Sequence, residues 1–312
     1  IMEQSHVGPH STIVDTVLAT DVHVGCGEIH SSVLGPNSAA HHQSLCISQI
    51  SLLGRGNIGY GANVGSNHTG RMPDQECTVA EGVFWGLTTC IKYPVDMTCS
   101  PYSIVAAGTT LLPQRIALPF SLLVETGPTT TVTDPTNNTP PAPACQILPG
   151  WVLSKSPFTI ARSETKFRTR RKAKRHGHYT GWEILRPHTI ELCRAGREFL
   201  IDYDPRSMSR KSTLMNKQIL GKCGLTEAAR RDGIQAYTDC IQRYALRGML
   251  DHLVLQEEST DGASLRTMLK ALQKAAMEAE KLNIIPPYYC LDQVSWPAPM
   301  PWEEVDCWSH QK

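Results

Sequence analysis

The sequence predicts a left-handed parallel β-helix over residues 1–124, a Thr/Pro-rich linker or loop over 125–147, and a mainly α-helical domain with an extended Pro/Trp-rich tail over 148–312. Three observations carry this. A six-residue beat of small and aliphatic residues runs through the first half, a Pro/Thr tract interrupts the chain, and helical periodicity takes over after it.

The beat comes first along the chain. Ile1, Val7, Ile13 and Ala19 lie six apart, and VGPHST is the cleanest unit. After a slip of one residue a similar unit, VGCGEI, starts at Val24. Ala40, Cys46, Leu52, Ile58 and Val64 then fall six apart again, with IGYGANVG spanning two units. Each unit reads as a short strand with one inward apolar side chain, and three strands make one triangular coil. Gly, Asn and Asp at the corners tolerate positive φ. Ile1 already falls on the beat, as it would in a fragment lacking an N-terminal stretch. An irregular β-sandwich would not hold two runs of four and five positions in register.

Past Glu76 the beat blurs, returning around CIKYPVDM and SIVAAGTTLL, before PQRIALPFSLLV leads out. Residues 126–144, TGPTTTVTDPTNNTPPAPA, have no apolar period and read as an exposed connection. Beyond it, TIELCRAGREFLI has helical spacing, and residues 225–255 make the strongest helix, with Thr226 placed to cap it. Residues 263–284 read as a second amphipathic helix.

Composition separates the halves. Residues 1–150 carry four Lys/Arg against ten Asp/Glu, and residues 151–312 carry 26 against 19, so the halves sit at −6 and +7 and can attract one another. The eleven cysteines form no CxxC pair and no regular framework, which reads as reduced thiols. Without an apolar run near the roughly 18 residues of a membrane span, or a signal-peptide layout, the expectation is a cytoplasmic protein with no membrane partner.

The break after Val64 holds the densest chemistry. Ser66, Asn67, His68, Arg71, Asp74 and Glu76 fall within eleven positions, and His41 and His42 lie about one coil earlier. Two imidazoles on adjacent coils can face one ligand. A neutral His68 can act as a general base toward a hydroxyl or amine. Arg71 suits a bidentate phosphate or carboxylate contact, and Asp74 or Glu76 can orient a histidine. Equally, Asn67 and Asp74 can shape turns while the histidines stand in solvent.

Other features are weighed beside it. His6, His10, His23, His30, His41, His42 and His68 supply imidazoles of the kind that γ-class carbonic anhydrases use between subunits to hold zinc, but no three-histidine set is visible in one chain, and no metal ligand is assigned. Lys166–Arg175 packs seven cations into ten residues, with Phe167 the one aromatic among them. Lacking a stacking ladder, it reads as a solvated helix face rather than a nucleic-acid grip. Phe84 and Trp85 can stack a sugar or pack between the halves. No phosphate loop, dinucleotide glycine pattern or nucleophile elbow occurs.

AHHQSLCISQISLLGRGNIGYGANVGSNHTGR, GVFWGL, IKYP, PFSL, ARSETKFRTRRKAKR and RYALRG resemble, in this order over most of residues 40–250, an uncharacterised family of hexapeptide-repeat proteins from Bacteroides-type bacteria and some unicellular eukaryotes. That family is loosely similar to the β-helix domains of sugar-nucleotide pyrophosphorylases. The resemblance implies a β-helix, and by fold analogy a sugar or sugar nucleotide as ligand. No site residue follows from it, the cofactor is unknown, and the pyrophosphorylase glycine signature is missing. The expected function is a hexapeptide-repeat transferase using a sugar nucleotide or acyl donor, in a homo-oligomer. The alternatives are a non-catalytic nucleotide-sugar sensor or oligomeric scaffold, and a γ-carbonic-anhydrase-like metalloenzyme.

Overall fold

The structure is a computed structural model and describes residues 1–65, 76–126, 145–170, 183–204 and 210–257. The helix expected at 263–284 and the tail lie outside the described residues. Residues Ile1–Cys240 form one compact unit and Ile241–Lys312 a second.

The beat folds as a parallel β-solenoid of about six coils, each coil giving one strand to each of three sheets. The coils carry strands at His6–Val7, Thr12–Val14 and Val17–Leu18; His23–Val24, Glu28–His30 and Val33–Leu34; Ala39–Ala40, Leu45–Ile47 and Gln49–Ser51; Asn57–Ile58, Asn63–Val64 and Cys77–Val79; Phe84–Trp85, Cys90–Ile91 and Val95–Met97; and Ile104–Val105, Thr110–Leu111 and Gln114–Arg115. A seventh strand of the first sheet, Leu122–Glu125, pairs antiparallel with Cys145–Leu148, which ends the stack. Pairing neighbours in this way satisfies the backbone donors and acceptors that one short strand leaves open.

Inward residues line up from coil to coil. Val24, Ala40, Ile58, Trp85, Val105 and Leu123 are register partners on the first sheet and all buried. Ile29, Cys46, Val64, Ile91 and Leu111 do the same on the second. Trp85 fits the narrow interior because the third sheet offers Gln49, whose side-chain oxygen accepts the indole N–H at 2.8 Å. The Phe84–Trp85 pair thus belongs to the solenoid, with the indole inside it.

The third sheet corrects the beat. Leu52 is 67 % exposed, and Gln49 and Ser51 are the buried residues of that strand. Likewise Leu18, and not Ala19, is fully buried in the first coil. The reason is a tight second corner: Ser48 alone separates strands Leu45–Ile47 and Gln49–Ser51, with φ of 52°. A one-residue corner brings the third strand in early, so a strict six-residue count overshoots it.

Corners rely on left-handed residues. At the third corner Asp21, Asn37, Arg55, Gly82, Tyr102 and Phe120 all have positive φ. Glycine is mandatory where chains also touch. Gly54 has φ of +66°, and a Cβ there would lie 2.0 Å from the Pro36 carbonyl oxygen. Both obstacles are backbone, so neither can swing away. Gly54→Ala is expected to cost on the order of 3 kcal/mol, read as a lower urea midpoint with unchanged slope.

The helices are α1 (Trp151–Lys155), α2 (Pro157–Arg170), α3 (Pro187–Asp202), α4 (Arg210–Ile219) and α5 (Glu227–Glu257). Thr226 caps α5, its hydroxyl accepting from the Ala229 N–H at 3.2 Å. Within the first unit these helices attach to the last coils. Tyr237 of α5 is fully buried and donates its hydroxyl to the Pro119 carbonyl at 2.7 Å, and the Val152 N–H binds the Phe120 carbonyl at 2.9 Å.

Candidate functional site

Strand register locates the break in the beat. Along the first sheet the partners run His6, His23, Ala39, Asn57, Phe84, Ile104 and Leu122, in steps of 17, 16, 18, 27, 20 and 18 residues. The fourth coil is about nine residues too long. Asn63 follows Leu45 by 18, whereas Cys77 follows Gln49 by 28, so the excess sits between Val64 and Cys77, at the second corner.

Ser66, Asn67, His68, Arg71 and Asp74 lie in that excess and outside the described residues. Glu76, at its far end, is exposed, and its carbonyl accepts the Val95 N–H at 3.2 Å. At its near end Gly65 has φ of +89°, and Tyr93 of the next coil occupies the space where a Cβ would stand. The Tyr93 hydroxyl hydrogen-bonds the Ile47 carbonyl of the third coil. The fifth coil therefore reaches past the fourth to the third. Burial, then the neighbouring Cys77 and Cys46, pushes the Tyr93 phenol far above its usual range, so it stays an O–H donor. Asn63 adds a buried side-chain oxygen without a hydrogen-bond partner among the described residues.

His41 and His42 stand elsewhere. They occupy the first corner of the third coil, before the second-sheet strand Leu45–Ile47, and both are exposed. Their backbone is fixed: the His41 N–H bonds Ile58, its carbonyl accepts the Ser44 hydroxyl at 2.7 Å, and the His42 carbonyl accepts from Gly61. They are on the coil next to the long one, at the corner before the second-sheet strands, whereas Gly65 and Glu76 stand at the corner after them. The described residues do not bring these histidines to Glu76.

Tyr60 and Leu87 share their ledge. The Gln43, Gly61, Thr88 and Gly108 N–H groups bond Cys26, His42, Tyr60 and Leu87 of the preceding coils, so these four residues hold equivalent corner positions. Tyr60 is 44 % and Leu87 48 % exposed, and Ala107 on the following coil is exposed too.

A second polar cluster escaped the sequence reading. Glu81 is 2 % exposed and binds two guanidinium groups, with Arg55 Nε at 3.3 Å from Oε1 and Arg186 Nη2 on Oε2. Arg55 also donates to the Tyr102 hydroxyl at 3.1 Å and lies 4.6 Å above the Phe167 ring. Tyr102 in turn stacks on Phe120 at 5.6 Å. Burial, and then the Glu81 charge, drive the Tyr102 phenol above its ordinary range. Burial pulls Arg186 down, but the Glu81 hydrogen bond and charge hold it above its usual value. Two permanent cations facing one carboxylate, with a phenol that keeps its proton, make a clamp and not an acid–base pair. It fastens α2, through Phe167, and the start of α3, through Arg186, along the third corner. Nothing in the spacing of Arg55, Glu81 and Arg186 announces it, since each alone looks like a surface charge.

Phe167 is thus the anchoring residue of the basic run; Lys166 is exposed, and 171–175 lie outside the described residues. Among the described residues no three His, Cys, Asp or Glu side chains are grouped to hold a metal ion. His6 and His23 stack ring on ring at 4.9 Å, and His30 bonds Glu28 at 2.8 Å. No described helix is long and apolar enough to cross a membrane.

No family model matches the chain. Over 167 residues, 54 % of its length, it is 25 % identical to an uncharacterized protein of Treponema pallidum (strain Nichols). It is a β-solenoid protein distantly similar to that spirochaete protein. The match covers 21 % of the Treponema protein, so the chain corresponds to about a fifth of that protein's length.

Proposed function

We propose that the chain binds a sugar or sugar nucleotide at the second corner of the fourth coil and transfers a group to or from it. The observation that supports this is the 27-residue step in a stack whose other steps are 16 to 20, because the surplus coincides with the densest polar stretch of the solenoid half. In this reading the neutral imidazole of His68 removes a proton from the acceptor hydroxyl or amine, and Arg71 grips phosphate through two parallel N–H donors. Ser66, Asn67, Asp74 and Glu76 fix sugar hydroxyls or orient His68. His41 and His42 enter only if the ligand, a sugar nucleotide or acyl donor, extends along the second sheet to the first corner. The resemblance to hexapeptide-repeat proteins supports the ligand class and a homo-oligomeric state.

A second reading, a non-catalytic binder or scaffold, is favoured by the exposed ledge of Tyr60, Leu87 and Ala107, a surface suited to a protein partner. Thermal-shift measurements with nucleotide sugars, sugar phosphates and acyl-CoAs separate the two. A ligand at about 100 times its Kd adds about 2.7 kcal/mol to stability. The transfer reading expects a shift lost in Arg71→Ala, together with product formation lost in His68→Ala while the shift remains. A shift with no product from the unaltered chain favours the binder. Absence of any shift overturns the site.

A further inference from the structure

Cys145 opens the antiparallel strand Cys145–Leu148 that ends the first sheet, and Cys223 lies 78 residues later, between α4 and α5. The intervening backbone holds them together. The Gly224 N–H bonds the Cys145 carbonyl at 2.8 Å, the Ile147 N–H bonds the Gly224 carbonyl at 3.0 Å, and Gln146 pairs with Gly224 in parallel register. One step back along that register, Cys145 faces Cys223. Paired strands lie about 4.8 Å apart, inside the roughly 4.4–6.8 Å between Cα atoms that a disulfide needs. The two Sγ atoms stand 2.7 Å apart.

We propose that Cys145 and Cys223 are a redox-modified dithiol, which a small disulfide oxidises to a staple between the end of the solenoid and the segment joining α4 to α5. The two sulfurs differ in the way exchange requires. The Cys223 hydrogen bond, opposed by burial and helped by Gln114, holds the Cys145 thiol below its ordinary range, while the same contact and burial push Cys223 far above it. Cys145 is thus the attacking thiolate. Its sulfur attacks one sulfur of glutathione disulfide, forming a mixed disulfide as the glutathione S–S bond breaks and one glutathione thiolate leaves. Cys223 then gives its proton to that thiolate. Its sulfur displaces the second glutathione from Cys145, which leaves as a thiolate and takes up the proton that Cys145 had released. Two protein thiols are oxidised and one disulfide is reduced to two thiols. Cys145 is 1 % and Cys223 8 % exposed, so glutathione disulfide gains access as the turn before Gly224 opens.

A second buried pair serves as the internal control. Cys193 of α3 hydrogen-bonds Cys240 of α5, but both sit on helices with no strand register between them, and burial, then that bond, hold the Cys193 thiol well above its usual range.

The test is to equilibrate the full chain with defined ratios of reduced to oxidised glutathione, block free thiols in denaturant, and map peptides without reduction. The expected result is one cross-linked species joining the Cys145 and Cys223 peptides, with Cys193 and Cys240 still fully blocked. Oxidation should also raise the urea midpoint of the unaltered chain and leave that of Cys223→Ser unmoved. Complete blocking of Cys145 and Cys223 under oxidising ratios overturns the proposal, as does a cross-link to other cysteines or a glutathione adduct that persists on Cys145. The peptide map needs no variant, so a misfolded substitution does not spoil it.

Discussion

Glu81→Gln is expected to cost about 3–5 kcal/mol of folding stability, although it removes no volume. The carboxylate is 3 % exposed at its side chain and stands between Arg55, 5 % exposed, and Arg186, 21 % exposed. Guanidinium groups do not shed their proton at such a site, so the neutral amide leaves two cations facing each other in a region of low dielectric. The loss should appear as a urea midpoint shift with a second signature. Because the clamp joins α2 and α3 to the third corner, helical ellipticity should be lost at a lower urea concentration than amide-exchange protection of the solenoid strands, splitting one transition in two. Adding Arg186→Leu to Glu81→Gln should recover part of the loss, because it takes away one of the unpaired charges. Equal costs in both backgrounds, or a cost below about 1 kcal/mol, would mean that the cluster is solvated and not a clamp.

Trp85→Ala should cost about 3–5 kcal/mol for a different reason. The indole is 1 % exposed and, among the described residues, the largest fully buried side chain, and it spans the coil interior to Gln49. Flanking register partners are Ile58 and Val105, on backbones locked in ladders above and below, so the cavity cannot collapse by moving one strand. Truncation also leaves the Gln49 side-chain oxygen buried without its donor. Trp85→Phe separates the two effects: it keeps most of the volume, and its cost of about 1–3 kcal/mol reports mainly the orphaned acceptor. A Phe variant as unstable as the Ala variant would show that the orphaned acceptor, and not the lost volume, dominates.

How far the sequence revealed this molecule follows from the range of each interaction. The beat at Ala40, Cys46, Ile58 and Val64 was legible because one inward residue per strand is a local demand, repeated in every coil. Leu52 misled because a one-residue corner at Ser48 shifts the frame, and nothing near Leu52 marks the change. The surplus chain after Val64 showed as lost period, and Thr226 as a cap, since both are local events. The Arg55–Glu81–Arg186 clamp and the Cys145–Cys223 pair rest on contacts between positions 105 and 78 residues apart, so no window of the sequence holds either. Of the residues expected in the site, only His41, His42 and Glu76 have described positions, at the two different corners that flank the second sheet.

The bypass at the second corner has a consequence for how such a protein can change over generations. Tyr93 carries the contact from the fifth coil to the third, and strands Asn63–Val64 and Cys77–Val79 are each paired on both sides. The strands on either side of residues 66–75 are therefore held by their own neighbours in the stack. Insertions and deletions between those posts alter closure entropy by only about 0.6 kcal/mol per doubling of length. A change of length in that stretch, whatever it does to a ligand site there, need not shift the phase of the stack behind it.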